Sequence, residues 1–239
     1  MTIKKPLLPP KLTLILGTDA SGKDHIATHL STWLNETGHP HERREGRFSK
    51  KETFDQTSED KGRFSLFAEA SFIKLYPVFG FLLPLLVSVL IHVDLRFYRK
   101  SEKHVVVVSH TALRLLAFHL GHQVNTVEEI ELSPHLDRLL KRIVAHLPVK
   151  TIVLDIEDSV RKQRIADRHQ RGKVDPFDRY MAQDEHRSER IEAILVWLAT
   201  NYLEARVIEN NDLAEEELKH HITEAFHHFH SKQNNVPHP

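Results

Sequence analysis

The sequence predicts an α/β fold, a doubly wound parallel sheet with flanking helices. Three observations carry that reading. Short strand-like apolar runs recur between helical patterns, at residues 12–16, 105–108, 151–154 and 206–208, and strands separated by helices imply crossovers and parallel pairing. The run Val105-Val106-Val107-Val108 is β-branched without alternation, as expected of a strand covered on both faces. The first run ends in a glycine-bracketed turn that opens an amphipathic helix, at the strand end where open parallel sheets gather their ligands.

Composition narrows the options. A chain of 239 residues suits one domain with a sizeable core, read here as residues 1–231 with a disordered tail at 232–239. Lys plus Arg equals Asp plus Glu at 33 each, so no overall charge draws the protein to nucleic acid. There are no cysteines, which rules out disulfides and thiolate metal sites and fits a reducing, cytoplasmic setting. The basic N-terminus reaches its apolar run only at Leu12, with no small-residue cleavage site after it, so no signal peptide is expected.

The first strand leads into Gly17-Thr18-Asp19-Ala20-Ser21-Gly22-Lys23, and Ile26, Leu30, Trp33 and Leu34 then share one helical side. Gly, four residues, then Gly-Lys between strand and helix is a phosphate-cradling pattern. The glycines let the backbone curl so that N–H groups point inward, the helix start adds its positive end, and Lys23 reaches for the outer phosphates. Where Ser or Thr normally offers a hydroxyl to Mg²⁺, this chain has Asp24. A carboxylate can ligate Mg²⁺ or simply favour a helix N-terminus. Asp19 could orient an acceptor phosphate or its proton, or brace the loop through backbone N–H groups.

A short second strand is expected near 42–44, inside a polar, mobile excursion over 39–63. Residues 75–93 carry no Asp, Glu, Lys or Arg. Their length permits a membrane span, which needs about 20 apolar residues. A single crossing, however, would part strand 12–16 from strand 105–108, and Pro77, Gly80 and Pro84 divide the segment. The expectation is a buried or partner-facing helix. An in-plane membrane-surface contact and a homodimer are the partners it would serve. After strand 105–108 the chain reads Ser109-His110-Thr111 and continues as a helix through Arg114. Ser109 could order a metal-bound water or cap that helix; His110 could meet a phosphate or be buried.

Arg164, Arg168 and Arg171 recur at steps of four and three, along one helical side. That row is either a set of cations for a phosphate or a solvated basic face. Asp155, ending its strand, is suited to a backbone or metal-bound water contact. Of nineteen histidines, His220, His221, His227, His228 and His230 cluster near the end without a carboxylate pattern. This reads as a solvated helix face rather than a metal site.

The loop from Gly17 to Lys23, with its acidic Asp19, resembles that of the thymidylate kinase family of P-loop nucleotide kinases. Further similarity lies in Thr151 to Ile156 with its Leu154-Asp155, in Val160 to Arg168 leading to an Arg-bearing lid, and in Asp178-Arg179-Tyr180. Ile191 to Tyr202 and Val207-Ile208-Glu209-Asn210 extend it. The resemblance implies a P-loop kinase-like fold, ATP and Mg²⁺ as cofactors, and transfer of a γ-phosphate to a nucleotide or small phosphorylated acceptor. It places Lys23, Asp19, Arg164 and Arg168 in the catalytic role and Gly17, Thr18, Asp19, Ala20, Ser21, Gly22, Lys23 and Asp24 around the nucleotide. Asp24 and Ser109 fall to the metal. One departure is marked: the family usually has Asp-Arg where this chain has Ser109-His110. The alternative expectation is therefore a catalytically weakened, nucleotide-binding regulatory protein, membrane- or partner-associated through 75–93.

Overall fold

The computed structural model describes residues 12–18, 20–45, 49–51, 63–98, 103–146, 149–170, 179–180 and 183–211, with positions 216, 217, 220, 221 and 224. Its strands are β1 (Leu12–Leu16), β2 (His41–Glu45), β3 (Ser49–Lys51), β4 (His104–Val108), β5 (Val149–Asp155) and β6 (Arg206–Glu209). They form one sheet in the order β3-β2-β4-β1-β5-β6. All neighbours are parallel except β2 and β3, which pair antiparallel through Arg43↔Lys51 and Arg44↔Lys50. The expected α/β parallel sheet is present, with one addition. β3 lies within the stretch read as a mobile excursion, and β2 extends over five residues. A three-residue edge strand of Ser and Lys is held by backbone bonds and leaves no apolar period to read.

The helices are α1 (Lys23–Glu36), α2 (Arg63–Phe79), α3 (Leu83–Tyr98), α4 (Thr111–Leu120), α5 (Pro134–His146), α6 (Asp158–Gln170) and α7 (Glu185–Leu203). The central strands alternate between two apolar layers. Ile15, Val106, Val108, Ile152 and Leu154 meet Ile26, Ala27, Leu30 and Leu34 of α1. Leu12, Leu14, Leu16, Val105, Val107 and Val153 meet residues of α3, α4, α5 and α7. Covering each face removes the need for a polar side on β1 or β4, and each large side chain buried this way contributes about 1.5–3 kcal/mol.

β2 is charged, and its neighbours explain why it tolerates that. Arg44 stacks on the Phe97 ring at 4.4 Å and donates to Glu42 at 2.8 Å. Across the sheet, Thr13 Oγ1 meets His104 Nε2 at 2.9 Å. Burial, reinforced by His41 and His39, pushes His104 down to about 4, so the ring is neutral at ordinary pH.

The apolar segment breaks at Gly80 as expected, and Pro84 falls in the first turn of the helix that follows, while Pro77 does not end its helix. Pro77 lies inside α2, a one-turn 3₁₀ helix spans Gly80–Leu82, and α3 follows directly. One side of α3 is core; the other is exposed, with Leu85 at 65% of full accessibility, and Phe81 in the 3₁₀ turn before it at 74%. The tail at 232–239 and the histidines from 227 onward lie outside the described residues. His220 Nε2 sits 3.3 Å from Glu224 Oε1, and the described residues hold no cluster of three or more metal-ligating side chains.

Leu113 on α4 is fully buried in the larger layer. Leu113→Ala is expected to cost about 2–5 kcal/mol in urea denaturation; a loss below about 1 kcal/mol would show that α4 is not anchored there.

Candidate functional site

The turn between β1 and α1 is shaped by backbone conformations that few side chains allow. Gly17 has φ 153°, Ala20 φ 64° and Gly22 φ 88°. A Cβ on Gly22 would collide with the Asn210 side-chain amide, so glycine is required there for space as well as conformation. Gly22 is also the N-cap of α1 and makes no side-chain cap. The first N–H groups of a helix have no carbonyl one turn back to bond. This start therefore offers amides and the positive helix end to an anion.

The loop is held by its own groups and by three elements behind it. Ser21 Oγ donates to the Thr18 carbonyl at 2.8 Å, and Lys23 Nζ donates to that same oxygen. Asn210, just past β6, donates from Nδ2 to the Ser21 carbonyl at 2.7 Å. Its own backbone N–H donates to Asp155 at 2.8 Å. Arg164 of α6 donates to the carbonyls of Ala20 and Asn210, each at 3.1 Å. Thr18 Oγ1 donates to Glu192 of α7 at 3.0 Å. Arg161, 3% exposed, then bridges Glu192 at 2.6 Å and Asp158. The left-handed Ala20 is one that surrounding bonds must impose, and Arg164 grips its carbonyl.

Burial pushes the Glu192 carboxyl up to about 7, against the opposing pull of Arg161 and the Thr18 hydroxyl. Asp155 adds to the rise and Lys23 opposes it. A carboxyl able to exchange a proton near neutrality thus sits one hydrogen bond behind the loop between β1 and α1.

The expected site residues divide clearly. Gly17, Thr18, Ala20, Ser21, Gly22 and Lys23 are brought together in the loop, and Arg164 reaches it. Asp19 lies outside the described residues, as do residues 171–178, where the lid was expected; nothing is described of the Arg168 side chain. Asp24 forms an ion pair with Arg43 of β2, which also donates to Thr28 at 3.1 Å. Ser109 ends β4 with φ 58° and donates its N–H to the Ile15 carbonyl at 2.9 Å. His110 is 4% exposed and lies 3.1 Å from Asp94 of α3. Of its two readings the buried one holds, and it faces a helix rather than a ligand.

Sequence reasoning gave no role to Glu192 or Asn210 and did not single out Arg161. Asn210 follows a strand end, the position at which such folds place ligand contacts. Glu192 was legible only as a carboxylate between Ile191 and Ile194 on an otherwise apolar helix face. A second cluster ties the chain beyond the lid position to α4. His122 Nε2 meets Tyr180 OH at 2.8 Å, and Arg187 lies over the Tyr180 ring at 4.3 Å. Tyr76 of α2 packs on Phe118 and His122, each at 4.8 Å. Burial lowers His122 and His119, which favours the uncharged ring in this packing.

No family model matches this chain, and no curated protein matches it. Solved structures align along its length. The deoxyadenosine kinase from M. mycoides with bound dATP is 14% identical over 89% of this chain and 97% of its own, with a TM-score of 0.47. The same enzyme with bound dCTP is 13% identical over 94% of this chain and 100% of its own, with a TM-score of 0.44. At such scores the likeness carries nothing about ligands, and the chemistry rests on this chain's own loop.

Two groups titrate in opposite senses. Glu192 keeps its proton in the folded chain up to about 7, against 4.5 unfolded, so its contribution falls as pH rises through that window. His104 is neutral down to about 4, against 6.5 unfolded, so its contribution is lost as pH falls through that window. Glu192→Gln is expected to unmask acid destabilisation between pH 6.5 and 4, to which His119 and His122 add. His104→Gln is expected to lessen the same acid loss. Urea melts at pH 5 and pH 7 of wild type and both variants check this; unchanged pH slopes in both variants would refute it.

Proposed function

We propose that this chain is an ATP-dependent phosphotransferase of the thymidylate-kinase-like kind, moving the γ-phosphate of ATP to a nucleotide or other small phosphorylated acceptor. The uncapped start of α1, behind a loop of left-handed residues closed by Lys23, carries this reading. Its amides and helix end suit a polyphosphate, and the Gly22 position leaves no room for a side chain in the cradle.

Each residue then has work that its position supports. Lys23 exchanges the Thr18 carbonyl for phosphate oxygens, a donor already poised at the loop. Arg164 and Asn210 hold the Ala20 and Ser21 carbonyls turned back, which keeps the loop amides facing inward. Glu192 fixes Thr18 from behind. Bound Mg²⁺–ATP supplies the transferable phosphoryl group, with its charge partly neutralised. Mg²⁺ commonly takes only one or two protein carboxylates beside phosphate oxygens. Asp24 fits that count once Arg43 lets go of it, and Ser109 offers a hydroxyl at the neighbouring strand end. Asp19 and Arg168 remain assigned to catalysis in this proposal.

A second reading, a nucleotide-binding regulator with weakened chemistry, draws on one observation. His110 is committed to Asp94 and Arg164 to loop carbonyls, so two groups that would serve transferring or acceptor phosphates are engaged elsewhere.

Titration calorimetry of the full chain with ATP, with and without Mg²⁺, comes first, followed by transfer from labelled ATP across nucleosides and nucleotides. Lys23→Ala should weaken ATP binding about 10- to 100-fold, the loss expected for a hydrogen bond to a charged group. Binding without transfer to any acceptor selects the regulator; no binding of ATP refutes both readings. Asp24→Asn separates its two roles. If Asp24 serves the ion, the variant loses ATP affinity in Mg²⁺ but not in EDTA. Equal loss in both assigns Asp24 to holding Arg43.

A further inference from the structure

We propose that the outward side of α2 and α3 docks this protein in the plane of an anionic membrane surface. The helical path Ala70–Tyr98 is long and apolar enough to cross a bilayer, yet it cannot do so here. Its inner side, through Val87, Ile91 and Tyr98, is part of the core. The strands on either side of it in sequence, β1 and β4, pair at Leu12↔Val105. The segment therefore lies along a surface rather than through it.

The outward side is apolar over most of that path. Phe79, Phe81, Leu82, Leu85, Leu86 and Val89 are each exposed, between 44% and 74% of full accessibility. A patch of this kind marks a protein or membrane contact, and charge separates the two. Between Lys74 and Tyr98 the one carboxylate, Asp94, is buried against His110, so the exposed charges are Lys74 and Arg96. α5 packs beside α3, where His135 stacks on His92 at 6.3 Å and 16°. Arg138 and Arg142 follow His135 at three and seven residues, both exposed, on the same side of α5. A basic row thus borders the apolar face.

A second copy fits this face poorly. Antiparallel pairing of two such helices would bring Lys74 of one near Arg96 of the other. Helix seams also carry charged flanks that fix partner and register, whereas Val78 beside this one is apolar and exposed. Anionic headgroups over acyl chains answer both the stripe and the row.

The test is co-sedimentation of the full chain with phosphatidylcholine vesicles, with and without phosphatidylglycerol. Wild type should partition onto the anionic vesicles. Phe81→Ser/Leu85→Ser/Val89→Ser, all at exposed positions, should reduce this at least about tenfold, from the apolar area withdrawn. Arg138→Glu/Arg142→Glu should lower it by about fivefold per cation removed, and only on anionic vesicles. Wild type remaining in the supernatant overturns the proposal, as does equal binding by the triple variant. A dimer in sedimentation velocity that the triple variant splits, with no vesicle binding, also overturns it and assigns the face to a second copy. Wild-type partitioning alone decides the first point should a variant unfold.

Discussion

The turn that opens α1 has no cap of its own, and the site depends on side chains that reach it from elsewhere. Asn210 comes from the end of β6, Arg164 from α6 and Glu192 from α7, each by one hydrogen bond to a loop residue. Two of these bonds take carbonyls, those of Ser21 and Ala20. A planar trans peptide points its N–H opposite to its C=O, so holding the Ser21 carbonyl back turns the Gly22 N–H to the other side. The sheet order makes this meeting achievable. β1 is flanked by β4 and β5, and β6 lies next to β5, so the loop after β1 has strand ends on both sides.

Burying this support has an electrostatic consequence. Arg161 and Glu192 are both below a tenth exposed, where an unpaired charge would be costly. Arg161 meets two carboxylates, and the rise in Glu192 lets the cluster shed one negative charge below neutrality. Loop geometry is thereby linked to one proton through the bond from Thr18 to Glu192. Asp24 shows the same economy at the exposed end of the helix start, where Arg43 from β2 holds it. Removing Arg43 would leave a carboxylate facing the anion site, and removing Asp24 would leave a guanidinium beside it.

Much of this architecture was legible because it is periodic or locally encoded. β1 and β4 are continuous apolar runs, and the glycines of the loop mark conformations that other residues resist. β3 was not legible, since its pairing is made by backbone groups and its side chains are Ser and Lys. Glu192 and Arg161 were hidden for a different reason. They lie 31 residues apart on different helices, and nothing in either helix alone indicates that a fold will bury them together. Pro77 misled for a local reason. A proline in a helix removes one donor, and a single 3₁₀ turn at Gly80–Leu82 lets the path continue.

His110 joins the two halves of the molecule. α3 carries a single carboxylate on an apolar helix, and a buried Asp94 needs a partner. The nearest chain end able to give one is the turn after β4, where His110 supplies Nε2 at 3.1 Å. This contact docks α3, the helix whose other side is bare and apolar. Cationic side chains lie on and beside α4. Arg114 lies one helical turn on in α4, and Arg187 lies over Tyr180 beside the same helix. The buried contact between His110 and Asp94 thus ties the turn after β4 to the inner side of α3.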